Sequence, residues 1–214
     1  MTNLSLIGIP IYLSMKGWSM MERIPARARL LQAAAELFYV DGVTGTGIDT
    51  ITAHAGVAKM SLYNNFSSKA DLVNAYLEQR CVEWREFLHI RLSEATTPKE
   101  RVLAVFDSYV DHAMTACEQG FRGCGLLNAA AELPVGDPGR AIVAAQKVEV
   151  EQLFRQHLEV LRSRHPDIEE TAEHLSFLLE GAMSRAGLEG HDARLKKARK
   201  IASSLLDRFE VTDQ

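Results

Sequence analysis

The sequence predicts an all-α protein. Nearly every segment after Ile24 repeats apolar residues three or four positions apart, the period of a helix, and no stretch alternates apolar with polar residues as a half-buried strand does. Glycines, prolines and capping residues cut the chain at helix-length intervals, giving about eight or nine helices, with the short ones first.

The elements follow in order. Pro25 suits a first helical turn, and RLLQAAAELFYVDG sets Leu30, Ala34, Leu37 and Phe38 on one face before Gly42 ends the run. GIDTITAHAG forms a second, short helix with Ile48, Ile51 and Ala55 inward and Gly56 as its stop, and AGVAKMSLYNNF supplies a third. Ser68 with Asp71 approximates a capping box that opens a long helix over about 68–93, where Leu72, Tyr76, Leu77, Trp84, Phe87 and Leu88 are available for packing. Thr97, Pro98 and Glu100 start the next, which runs to about Glu118, where GFRGCG breaks it. Asp137 and Pro138 open another, ended by Pro166; Asp167 with Glu170 caps its successor, closed by Gly187 and Gly190. A last helix, about 192–209, carries Leu195, Ala198, Ala202, Leu205 and Phe209 along one stripe.

Composition narrows the class. A 47% hydrophobic and 24% charged chain is globular rather than disordered, and no apolar run approaches the roughly 18–20 residues of a membrane span, so a soluble protein is expected. Cys81, Cys117 and Cys124 are odd in number and form no CxxC, which argues for a reducing cytoplasm and against a disulfide framework or a zinc site. The opening MTNLSLIGIPIYLSMKGWSMMER has an apolar patch, yet no basic residue precedes it and no small-residue cleavage site follows. Residues 1–21 are therefore set aside as a disordered extension or a mis-assigned start, with Met20 or Met21 as the natural beginning. The net charge of -4 divides unevenly. Residues 1–69 hold six Lys/Arg against four Asp/Glu (net +2), and the remainder eighteen against twenty-four (net -6). A mildly basic N-terminal part thus sits on an acidic body, and phosphate binding is a local matter.

The short third helix needs a reason, since a helix of that length does not hold itself together in water. A short helix, a turn at Gly56 and a second short helix make a helix-turn-helix, whose second helix enters the DNA major groove. Ile48, Ile51, Val57 and Leu62 tie the pair to the first helix, leaving Lys59, Met60, Ser61, Tyr63, Asn64 and Asn65 outward. Asn pairs with adenine edges, Met60 touches a thymine methyl, and Tyr63 and Lys59 reach phosphates. Lys69, opening the long helix, adds a phosphate contact. With Thr46, these residues form the predicted DNA-binding set.

Gly42 to Leu72, GVTGTGIDTITAHAGVAKMSLYNNFSSKADL, resembles the DNA-binding signature of TetR-type (TetR/AcrR) transcriptional regulators. The glycine after the first helix, the AGV turn, the LYNNF end of the third helix and the SKADL start of the fourth stand in that family's order and spacing, and with the first helix the resemblance covers about residues 25–75. Two positions depart from it. Gly47 and Ala58 stand where the family usually carries Ser or Thr caps, each cap being worth about 0.5–2 kcal/mol, so tuning rather than loss of binding is expected. Met60 replaces a commonly small residue and is expected to alter base preference.

The resemblance implies an N-terminal three-helix helix-turn-helix DNA-binding domain, residues 22–67, and a C-terminal helical ligand-binding and dimerisation domain, residues 68–214. RGCGLLNAAAEL, Arg122 to Leu133, resembles a segment that borders the ligand cavity in a subset of these regulators. Asn128 and Glu132 lie four apart, on one helical face, and with Cys124 are the candidate polar ligand contacts; Trp84, Phe87, Phe106, Tyr109, Phe154 and Phe177 are candidate walls. The alternative is that the aromatics are plain core and Glu132 a solvated residue. Leu175, Leu178, Leu179, Ala182, Met183 and Ala186, with Leu195, Ala202 and Leu205, form stripes broken by small residues that suit a two-fold four-helix bundle, or else an intramolecular core.

No nucleophile elbow, P-loop or HExxH occurs, and His112, His157, His165 and His174 make no ligand pair on one helix, so neither catalysis, metal nor cofactor is expected. A redox role for Cys124 beside Arg122 is the one chemical alternative. The expectation is a homodimeric regulator, a repressor on a pseudo-palindromic double-stranded DNA operator, released when a small-molecule effector shifts the fourth helix. The competing reading is a helical ligand-binding or dimerising module without DNA binding, for which Gly47 and Ala58 speak.

Overall fold

The computed structural model describes residues 24–114, 120–161 and 167–211. Among them are nine helices and no strand: α1 (Ala26–Asp41), α2 (Ile48–His54), α3 (Lys59–Asn65), α4 (Lys69–Glu94), α5 (Pro98–Met114), α6 (Gly125–Glu132), α7 (Pro138–Leu161), α8 (Ile168–Glu189) and α9 (Ala193–Val211). The predicted extension 1–21, the helix end at Glu118, Cys117, His165 and the stop at Pro166 lie outside the described residues.

The local start signals act largely as read. The Ser68 hydroxyl accepts the Asp71 N–H at 3.1 Å, and the Asp71 carboxylate takes the Ser67 N–H at 2.9 Å. At α5 the exchange is reciprocal: Thr97 Oγ1 accepts from Glu100 N, while Glu100 accepts from the N–H groups of Thr96 and Thr97. Hydrogen bonds from Thr96 and Thr97 hold the Glu100 carboxyl down to about 2. Gly190, left-handed at φ 75°, closes α8. Two readings are corrected. Asp167 makes no side-chain cap to α8. Gly187 lies inside α8 rather than ending it, because a Cβ there would stand 2.6 Å from the Gly123 Cα, and the missing side chain is what admits that backbone.

Burial divides the molecule into two cores that share α4. The first gathers Leu30, Ala34 and Phe38 of α1, Ile51 of α2, Leu62 of α3 and the opening half of α4 (Leu72, Val73, Tyr76, Leu77, Cys81), with Leu126 and Ala129 of α6. The second takes the later half of α4 (Trp84, Leu88) with α5, α7, α8 and α9 around Phe106, Phe154, Leu158, Leu175 and Leu179. On α9 the buried stripe is Leu195, Ala198, Ala202 and Leu206, so Leu206 takes the inward place read for Leu205. No helix among the described residues is long and apolar enough to cross a membrane.

Candidate nucleic-acid interface and effector cavity

Helix α3 is held from beneath. Leu62 and Phe66 are buried in the first core, and the Arg27 guanidinium lies over the Phe66 ring at 5.1 Å. Gly56, at φ 63°, turns the chain so that Val57 N donates to Thr52 O at 3.0 Å. The N-caps of α2 and α3 are Gly47 and Ala58, and neither supplies a side-chain cap. Lys59, Met60 (70% exposed), Tyr63 (48%) and Asn64 then project into solvent, one face of a helix by their spacing. Lys59 pairs with Asp49 at 2.8 Å, and that hydrogen bond raises its pKa. Both partners are well exposed, so the pair contributes little and a phosphate can take the ammonium over.

The rest of the predicted DNA-facing set is drawn inward. Thr46 is 2% exposed and its hydroxyl donates to Gly42 O at 2.7 Å, so it pins the loop instead of facing outward. Lys69 donates to Val43 O at 2.6 Å, capping the same loop rather than standing free for phosphate. The half-buried Asn65 returns its amide to Ser61 O at 2.7 Å, and Ser61 is itself half-buried.

That loop is also gripped from the body. Glu132 Oε1 accepts from Val43 N at 3.0 Å and Oε2 from Thr44 N at 2.7 Å. Desolvation pulls its pKa up, but these backbone bonds and the nearby Lys69 outweigh it, and the carboxyl lies below its ordinary value. Tyr39 OH donates to Gly123 O at 3.2 Å and receives Arg122 N at 2.6 Å, while the Arg122 guanidinium donates to the carbonyls of Tyr39 (2.9 Å) and Val40. Segment 122–132 therefore clasps the C-terminal end of α1.

The same segment walls a cavity of about 450 Å³, lined by Arg122, Gly123, Cys124, Leu127, Asn128, Ser184, Gly187 and Leu188. Cys124 and Asn128, two of the expected ligand contacts, are among these lining residues. Glu132 was placed there too, wrongly, because its carboxylate is spent on the loop after α1. The aromatic walls fail for a different reason, which is that the rings pack on one another. Trp84 meets Tyr109 edge-on at 6.1 Å and Phe106 meets Phe154 at 5.4 Å, all four buried, while the half-buried Phe87 lies beside His112. Phe177 is 63% exposed and is not among the residues that line this cavity. Behind Cys124, Lys147 donates to Glu180 (2.9 Å) and Tyr109 (3.3 Å) and lies 3.7 Å from the Cys124 sulfur. Burial alone would lower the Lys147 pKa, but Cys124, Tyr109 and Glu180 raise it on balance, so it stays charged. A lone charge on the apolar face of each of two helices is the sequence signal for this cluster.

The stripe read as a dimer seam is corrected as well. Leu175, Leu179, Met183, Ala186, Leu195 and Ala202 are buried in the protomer's own second core and cannot reach another copy, while Leu178, Ala182 and Leu205 pack at its edge. The exposed side of α8 runs through Phe177, Gly181, Ser184 and Leu188 (89% exposed).

A short helix with a polar outward face, seated by a helix-turn-helix on a helical body with a cavity, defines a DNA-binding regulator. The family model for bacterial regulatory proteins of the tetR family matches residues 30–76. A TetR-family transcriptional regulator from Streptomyces coelicolor is 31% identical, with a TM-score of 0.78 over 87% of this chain and 96% of that one. The transcriptional activator FasR of Mycolicibacterium smegmatis is 33% identical over 96 residues, 45% of this chain and 43% of that protein. The transcriptional repressor DhaR of Mycobacterium sp. (strain GP1) is 28% identical over 118 residues, 55% of this chain and 57% of DhaR. The chain spans about half the length of these curated relatives. It belongs to the TetR family of DNA-binding transcriptional regulators, which are not enzymes.

Proposed function

We propose that the protein is a homodimeric repressor that grips a pseudo-palindromic operator with two copies of α3, and that a small-molecule effector in the cavity beside segment 122–128 releases it. The observation that carries the DNA-binding half is the exposure of Lys59, Met60, Tyr63 and Asn64 on one face of a helix whose other face is locked in the core. Met60, Tyr63 and Asn64 face outward toward bases and phosphates, Lys59 exchanges Asp49 for a phosphate, and two-fold pairing places the helices one turn of DNA apart. The route from effector to DNA runs through the clasp on α1, since one segment lines the cavity and holds Tyr39, Val40, Val43 and Thr44. This replaces the expected shift of α4 with a loosening of α1's end.

The test is a gel shift on the DNA flanking the protein's own gene. Binding is expected to weaken steeply with salt. Tyr63→Ala combined with Asn64→Ala should cost at least about tenfold in affinity, at 1–3 kcal/mol per good base contact, with an unchanged melting temperature because both side chains are exposed. No shift at low salt on any flanking DNA would favour a module that has lost DNA binding. The kinship with FasR, an activator, supports a second reading in which the same contacts recruit transcription. Reporter output in a deletion strain separates the two: derepression for a repressor, loss of expression for an activator.

A further inference from the structure

The cavity's lining points to a chemical class of effector, an inference that rests on reading this cavity as the effector site. Among the described residues that line it, Arg122 is the one charged residue and none is a carboxylate; Leu127 and Leu188 offer apolar surface, and Asn128 and Ser184 offer polar groups. The volume, about 450 Å³, suits a small organic molecule, within the roughly 300–1,000 Å³ of ligand clefts. The Arg122 guanidinium is engaged with two neutral acceptors, the carbonyls of Tyr39 and Val40. These are among the last carbonyls of α1, which lack partners within the helix, and α1 has no basic residue in its own last turn. Arg122, a residue of the cavity wall, is thus also the cationic cap of the first helix of the DNA-binding unit.

We infer that the cavity takes a small organic carboxylate with an apolar tail, and that the ligand draws Arg122 away from α1. A guanidinium meets an opposite charge in a carboxylate and often binds it through two parallel bonds, neither of which a neutral carbonyl provides. The anion therefore favours the state in which the Tyr39 and Val40 carbonyls are released. DNA favours the clasped state. By linkage each weakens the other's binding, with Arg122 as the shared element. Tyr39 and Glu132 still hold the loop after Arg122 leaves, so the unit loosens without detaching.

The test uses the full-length protein and acid/amide pairs of matched shape, phenylacetate against phenylacetamide and hexanoate against hexanamide, titrated calorimetrically. Each pair is also titrated into Arg122→Gln and into Ser184→Trp, which fills the cavity. The expected result is an acid that binds at least about tenfold tighter than its amide, a preference abolished in Arg122→Gln, and no binding of either in Ser184→Trp. Amide hydrogen exchange at residues 39–44 should accelerate on acid binding, and Arg122→Gln should show that acceleration with no ligand at all. Equal binding of acid and amide overturns the anionic class, and an acid preference that survives Arg122→Gln overturns Arg122 as the anion's partner; either result leaves the cavity as the effector site. Absence of binding by every acid and amide overturns the cavity reading as well. Wild-type exchange at 39–44 in Arg122→Gln overturns the clasp, whatever binds.

Discussion

At Glu132 one carboxylate holds two backbone N–H groups of a loop 88 and 89 residues away in sequence, so its charge sets part of the coupling between body and DNA-binding unit. Glu132→Gln keeps the shape but loses the charge and one acceptor. Exchange of the Val43 and Thr44 amides should rise several-fold, with about 0.5–1 kcal/mol lost once solvent screening at this exposed site is allowed for. The pH dependence has a definite sign. The folded pKa is depressed below the ordinary 4.5, so the contribution is complete above that value and is lost as pH falls through the folded one. The Thr44 amide resonance should therefore titrate with a midpoint below pH 4.5, and a midpoint at or above that value would show the bond to be inconsequential. Glu132 stood out in the sequence for sharing a helical face with Asn128, but its partner did not, because no local pattern encodes a contact across so many residues. The same separation hid Tyr39 as the partner of Arg122.

Helices are the scale at which the sequence was most legible, since caps and apolar periodicity are local. The starts of α4 and α5 could be read from Ser68 and Thr97, and α3 from its polar face. Glycine was the ambiguous letter. In α8, Gly187 reads like a stop, yet it serves a close approach to Gly123, and only the packed neighbour tells the two roles apart. Gly187→Ala should cost about 1–3 kcal/mol, as overpacking does. Gly181, whose added Cβ would meet nothing within 4 Å, should tolerate alanine and gain about 0.5–1 kcal/mol within the protomer. Thermal melts separate the two by several degrees, at roughly 2–4 °C per kcal/mol for a chain of this size. Equal melting points would mean that the Gly123 backbone yields freely. Face assignment on α8 and α9 failed for a related reason: both sides of α8 carry apolar residues, and periodicity finds a stripe without saying what it packs on.

For the whole molecule, the proposed dimer depends on which apolar stripe of α8 is left over. The seam of Leu175, Leu179, Met183 and Ala186 is consumed inside the protomer, leaving Phe177 and Leu188 as large exposed apolar side chains at either end of a strip with Gly181 and Ser184 between. Small residues flanked by large ones let a second copy approach closely, and a two-fold axis midway between Gly181 and Ser184 would set Phe177 of one protomer toward Leu188 of its partner. Because Ser184 and Leu188 also line the cavity, a partner on this strip would roof the effector site and couple dimerisation to ligand retention. Phe177→Glu with Leu188→Glu should therefore give a monomer by light scattering at micromolar concentration, with the helical far-ultraviolet spectrum unchanged because both residues are solvent-facing. Operator affinity should fall by about 10²–10⁴, the advantage that linking two weak readers confers. A variant that stays dimeric and retains full affinity would place the two-fold axis elsewhere. A variant that is monomeric yet binds undiminished would show that a single α3 suffices, removing the reason for a dimer.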